Sequence, residues 1–88
     1  MALIATRLTV TDPEELLATA SEHDGLRRSY GCTGLRFLRD YADPTKILAL
    51  MEFPTLAVAF NYIQAASHID MLANPGALGS RAEYYEDL

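Results

Sequence analysis

Lys46-Ile-Leu-Ala-Leu-Met-Glu-Phe53 is the stretch that decides the fold. Read at the two-residue period of a strand, Ile47, Ala49, Met51 and Phe53 make one apolar face, and Leu48 and Leu50 make most of the other. A strand that is apolar on both faces needs cover on both. Just upstream, Leu35, Phe37 and Leu38 among Arg36, Arg39 and Asp40 read as a further strand, closed by the turn Ala42-Asp43-Pro44-Thr45. A turn that short makes the two strands an antiparallel hairpin.

Outward toward the N-terminus, Ala2 to Val10 alternates so that Ile4, Thr6, Leu8 and Val10 share one face of a first strand. Asp12 is a good helix N-cap, Pro13 suits the first helical position, and Glu14 and Glu15 favour the positive end of the helix dipole. The pattern predicts one helix from Pro13 to about Tyr30, closed by Gly31 in a left-handed conformation and weakened inside by Gly25.

Outward toward the C-terminus, Pro54 and Thr55 open a second helix with two apolar stripes. These are Leu56, Ala59, Phe60, Ile63 and Val58, Tyr62, Ala65, Ile69, so burial on more than one side is expected. Asn61, Gln64 and His68 form the remaining polar stripe, and Ser67 with Asp70 has the spacing of a capping box at which the helix breaks and restarts. Asn74-Pro75-Gly76 ends it, and Ala82 to Glu86 reads as a last short strand with Tyr84 and Tyr85 on opposite faces.

The order β-α-β-β-α-β is the ferredoxin-like α+β plan, one domain over residues 1–88, with two helices on one face of a four-stranded antiparallel sheet. The chain has nothing left to cover the other face. A second copy is expected there, giving a two-fold homodimer, and a domain of 88 residues gains most from such help.

Twelve acidic against seven basic residues give a net charge of −5, which argues against nucleic acid and anionic membrane surfaces as partners. The longest apolar run, Ile47 to Met51, is far short of a membrane span, and Arg7 interrupts the amino-terminal run, so a cytoplasmic protein is expected. One cysteine, Cys32, rules out an internal disulfide and a cysteine-based zinc site, and no neighbouring motif activates it as a nucleophile. His68 and Asp70, two apart, do not share a helical face, so no metal site is expected.

Arg27-Arg28-Ser-Tyr-Gly31-Cys-Thr-Gly34-Leu-Arg36, Arg39-Asp40-Tyr-Ala-Asp43-Pro44, Met51-Glu52-Phe53 and Gly76-Ala-Leu-Gly79 together resemble the dimeric α+β barrel superfamily. Within it the chain is most similar to the antibiotic-biosynthesis monooxygenase group. The resemblance implies a homodimer whose sheets form a barrel, with a mainly apolar pocket between sheet and helices for a hydrophobic small molecule. It implies oxygenation of aromatic polyketides or quinols with no cofactor. The haem-degrading branch uses an Asn on the first strand and a Trp and a His on the second helix. Here the first strand offers Thr6 and the chain has no Trp, which points away from haem. The alternative is a non-catalytic small-molecule binder or accessory protein of the same fold.

His23 shares a helical face with Leu16, Ala20 and Arg27, which directs it toward the pocket as a general base for an acidic phenol or enol. Its plainer role is a hydrogen bond on the helix flank. Arg27 either holds the resulting anion with its guanidinium fork or bonds the last carbonyls of its own helix. Tyr62 and Tyr84 suit the wall of an aromatic site and equally suit the core. Phe37, Met51 and Phe60 enter as substrate-binding candidates only through the family's pocket, and otherwise read as core.

Overall fold

The computed structural model of the chain describes residues 1–74 and 81–88. Strand β1 (Ala2–Thr9) leads to helices α1 (Pro13–Glu22) and α2 (Asp24–Ser29), then to strands β2 (Gly34–Arg39) and β3 (Lys46–Phe53). Helix α3 (Leu56–Ala66), a 3₁₀ turn (Met71–Ala73) and strand β4 (Arg81–Glu86) complete it. The sheet is antiparallel throughout, in the order β2-β3-β1-β4, as the ferredoxin-like reading requires. The expected stop at Pro75-Gly76 and the Gly76–Gly79 motif lie outside the described residues.

Register places the strand faces as their alternation dictates. Ile4 lies opposite Met51 and Tyr84, Thr6 opposite Ala49 and Ala82, and Leu35 and Phe37 opposite Met51 and Ala49. Ile4, Ala49, Met51 and Phe53 are fully buried there beneath the helices, with Ala59, Tyr62 and Ala66 of α3. The opposite face carries Leu3, Ala5, Leu48 and Leu50 in its middle, and Leu48 and Leu50 are only half-buried.

Two helical expectations are corrected. The single helix from Pro13 to Tyr30 is two, broken at His23 (φ −102°, ψ 7°). The His23 amide donates back to the Ala20 carbonyl at 3.2 Å, one residue short of the α-helical partner. Its imidazole Nδ1 sits 3.0 Å from the Thr19 carbonyl that the amide would otherwise use. A side chain competing for a backbone acceptor is enough to interrupt the ladder. Helix α3 is buried along one face, not on several, because Ala57, Phe60 and Ala65 face outward.

The caps follow the sequence closely. Asp12 Oδ1 accepts from the Glu14 and Glu15 amides at 3.1 and 3.3 Å, and Thr55 Oγ1 accepts from the Val58 amide at 3.2 Å. Gly31 adopts φ +97°, and a β-carbon there would lie 2.7 Å from Val58 Cγ1, so both backbone and packing demand glycine. The helix does break near Ser67 and restart, with Asp70 rather than Ser67 as the cap.

Candidate functional site

A cleft of about 300 Å³ opens where α1 and α2 pass over the edge strand β2. Leu17 and Ala20 of α1, Arg27 of α2, Cys32 in the turn before β2, and Leu35 and Phe37 along β2 make most of its wall. It is at the small end of the range for ligand pockets. Ser21, Thr33 and the Asp24–Arg28 ion pair (3.0 Å) add polar groups.

Arg27 closes the inner side of this cleft and is 1% exposed. Its Nη1 donates to Asp70 Oδ2 at 2.8 Å, and its Nη2 donates to the Ala20 carbonyl at the end of α1. The Tyr62 hydroxyl also donates to Asp70 Oδ2, and Asp70 Oδ1 accepts the Leu72 amide at 3.0 Å. One carboxylate thus ties α2, α3 and the 3₁₀ turn together. Burial first, and then the Asp70 carboxylate, push the Tyr62 phenol far above its ordinary range, so it stays a donor. Among the described residues, Arg27 Nε and Thr6 Oγ1 are buried without a hydrogen-bond partner.

The predicted site residues other than His23 separate into three groups. Arg27 and Phe37 meet at the cleft. Met51 and Tyr62 are wholly buried in the core, where Tyr62 lies against Phe53 and Tyr30 with ring centroids 5.6 and 6.1 Å away. Phe60 and Tyr84 contact each other at 5.1 Å on the β4 side, where both are partly exposed.

His23 stands at the break between α1 and α2, between cleft-lining Ser21 and Asp24 in sequence. A carbonyl only accepts, so Nδ1 carries the proton donated to Thr19. His23 itself lines neither this cleft nor the two larger ones, at the β2–β3 hairpin and between α1 and the 3₁₀ turn.

Asp70 is the partner that sequence reasoning passed over, having weighed it as a cap and a metal ligand. Its signal is a lone carboxylate in the apolar run Ile69-Asp70-Met71-Leu72-Ala73, where burial demands a cation. Cys32 is buried with its Sγ donating to the Gly34 carbonyl, and burial raises its thiol above the ordinary range despite the nearby Arg27 charge.

No family model and no curated protein matches the sequence. Solved structures do match its fold. Three are each described as a "putative antibiotic biosynthesis monooxygenase". The protein from Bordetella bronchiseptica is 16% identical at a TM-score of 0.73, covering 99% of this chain and 96% of its own. The one from Deinococcus radiodurans is 16% identical at 0.69, covering 100% and 93%. The one from Nitrosomonas europaea is 20% identical at 0.66, covering 100% and 99%.

Proposed function

We propose, on the premise that the chain shares the whole fold of those monooxygenase-named proteins, that it is a small homodimeric enzyme of monooxygenase type. Its substrate is a hydrophobic aromatic molecule of polyketide or quinol type, taken up without a cofactor in the cleft between α1, α2 and β2. The observation that carries this reading is the end-to-end fold match, with Phe37 and Arg27 together on the wall of an open cleft.

The chemistry asked of the protein is modest. An acidic phenol or enol gives its proton to a base, and the electron-rich anion reacts with oxygen. For an anthrone-like methylene, one O₂ is consumed, the carbon becomes a ketone and one water is formed. His23 Nε2, off the cleft wall but next in the chain to cleft-lining Asp24, is the base in this reading and acts on a substrate group that projects from the cleft toward the α1–α2 break, and Arg27 is a positioning residue that fixes α2 through Asp70. The open sheet face, apolar at Leu3, Leu48 and Leu50, is the surface that a second copy covers in the dimer.

One observation favours the second reading, a non-catalytic binder. Arg27 Nη1 and the Tyr62 hydroxyl already donate to Asp70 and Arg27 Nη2 to the Ala20 carbonyl, which leaves fewer donors for a substrate. Oxygen uptake with a panel of quinols and anthrone-like phenols separates the two. Uptake with product formation supports the enzyme, and saturable binding with neither supports the binder.

A further inference from the structure

The helix-free face of the sheet carries its charges in an order that register fixes. Across the middle of that face runs one row: Arg36 on β2, Leu50 on β3, Ala5 on β1 and Glu83 on β4. The row is apolar at its centre, with a cation on one edge strand and an acid on the other. Three strand spacings, about 14 Å, hold Arg36 and Glu83 apart within one chain.

Both ends of the row have capacity for a partner. Arg36 is exposed and forms no ion pair among the described residues. Glu83 Oε1 accepts from Arg7 Nε at 2.9 Å and Oε2 from the Tyr85 hydroxyl at 2.6 Å. Each carboxylate oxygen has two acceptor sites, so each retains one. The Tyr85 hydroxyl first, and then Arg7, hold the Glu83 carboxyl below its ordinary range, so it meets a partner as an anion.

Two sheets stacked face to face keep their strands nearly aligned. The two-fold between them then runs either across the strands or along them. An axis across the strands, centred on this row, sets Arg36 against Arg36 and Glu83 against Glu83, and likewise Leu50 against Leu50 and Ala5 against Ala5. An axis along the strands exchanges the two edges. Arg36 then faces Glu83 of the second copy at both rims, and Leu50 faces Ala5, a large side chain against a small one. The edge strands agree with the second arrangement, since β2 carries Arg36 and Arg39 with no acid, whereas β4 carries Glu83 and Glu86 against Arg81.

We infer that a second copy packs on this face with the two-fold along the strands, each β2 lying over the other copy's β4, and that Arg36 of one copy and Glu83 of the other form an ion pair at each rim of an apolar centre. Arg7 and Arg81 lie one row nearer the hairpin end, where their stems cover Leu48 and Leu38 of the second copy and their guanidinium groups reach water at the open end of the sheet pair. This packing rests on the homodimer proposed above, to which it adds the axis and the contact that selects it.

Light scattering and native mass spectrometry of the full chain test it. Arg36→Glu and Glu83→Arg each set like charges against each other at both rims, and each should weaken the dimer about tenfold or more. An equimolar mixture of the two variants should form the heterodimer above its statistical share, because both of its rims again pair opposite charges. The three dimers differ in mass, and a variant that had merely misfolded would not be rescued by mixing. A wild-type chain that scatters as a single copy overturns the homodimer and this packing together. A dimeric wild type whose two variants dimerise as tightly, or whose mixture forms no more than the statistical share of heterodimer, overturns the packing alone. So does an Arg36→Gln variant that tightens the dimer, since it marks an axis that sets Arg36 against itself.

Discussion

Arg27 and Asp70, separated by 43 positions in the sequence, meet at 2.8 Å with both side chains about 1% exposed. The pair joins the segment after α1 to the segment after α3, two pieces of chain that the sheet topology alone does not hold together. Its value lies in what its loss would leave behind. A buried ion pair earns little net stability over an apolar replacement, but one partner without the other is an uncompensated buried charge.

Asp70→Asn and Arg27→Met should therefore each destabilise the fold by about 3 to 5 kcal/mol, a large part of a small domain's stability. The double variant Arg27→Met/Asp70→Asn should be less destabilised than the sum of its single changes, because neither charge is left alone. Urea unfolding of the three proteins measures this. Additive losses would show that the two residues are not energetically coupled.

Two glycines are predicted to respond in opposite directions. A β-carbon at Gly25 meets nothing within 4 Å, and the residue lies inside α2 without a positive φ, so Gly25→Ala should stabilise by about 0.5 to 1 kcal/mol. Gly31→Ala faces both φ +97° and a 2.7 Å approach to Val58, and should destabilise by more than Gly25→Ala gains. Thermal unfolding followed by circular dichroism reads both signs.

The sheet was legible because period two leaves little freedom. Shifting Lys46–Phe53 by one residue would turn Phe53 and Met51 out of the core, so alternation alone fixes its face. The caps at Asp12 and Thr55 and the left-handed Gly31 were legible because each turn geometry admits few residue types. The break at His23 was not, since it depends on an imidazole reaching the Thr19 carbonyl, which helical periodicity does not encode. Nor was the Arg27–Asp70–Tyr62 network, because a contact across 43 positions leaves only a stray charge in an apolar run as its trace. Phe60 and Tyr84 read as pocket or core from their apolar character, yet pack on each other at the surface beside β4.

If the α1–α2 cleft takes an aromatic substrate with His23 as base, two variants should separate binding from chemistry. Phe37→Ala removes an aromatic wall and should raise KM with little change in kcat. His23→Ala should lower kcat by about 10² to 10⁴, and because it also frees the Thr19 carbonyl at the α1–α2 break, circular dichroism of the variant checks that the helices keep their arrangement. Steady-state oxygen uptake on a confirmed substrate checks both, and full turnover by His23→Ala would remove the histidine from the mechanism.

Alkaline pH should expose the Tyr62–Asp70 contact. Burial and the adjacent carboxylate raise the Tyr62 phenol well above its ordinary value of 10.0, so the folded state holds this proton more tightly than the unfolded chain. Below about pH 10 both states are protonated and the contribution is constant. Above it the unfolded chain releases the proton while the fold retains it. Stability then falls by about 1.4 kcal/mol per pH unit, until the folded phenol also ionises. Tyr62→Phe loses the hydroxyl bond and is less stable at neutral pH, yet its stability should fall less steeply above pH 10. Cys32 is raised in the same way from 9.0, so the comparison is best made in a Cys32→Ala background. Tyr85, shifted upward by its bond to Glu83, is common to both proteins and cancels. Urea unfolding between pH 8 and about pH 11 gives the two slopes, and equal slopes would mean that Tyr62 ionises as easily folded as unfolded.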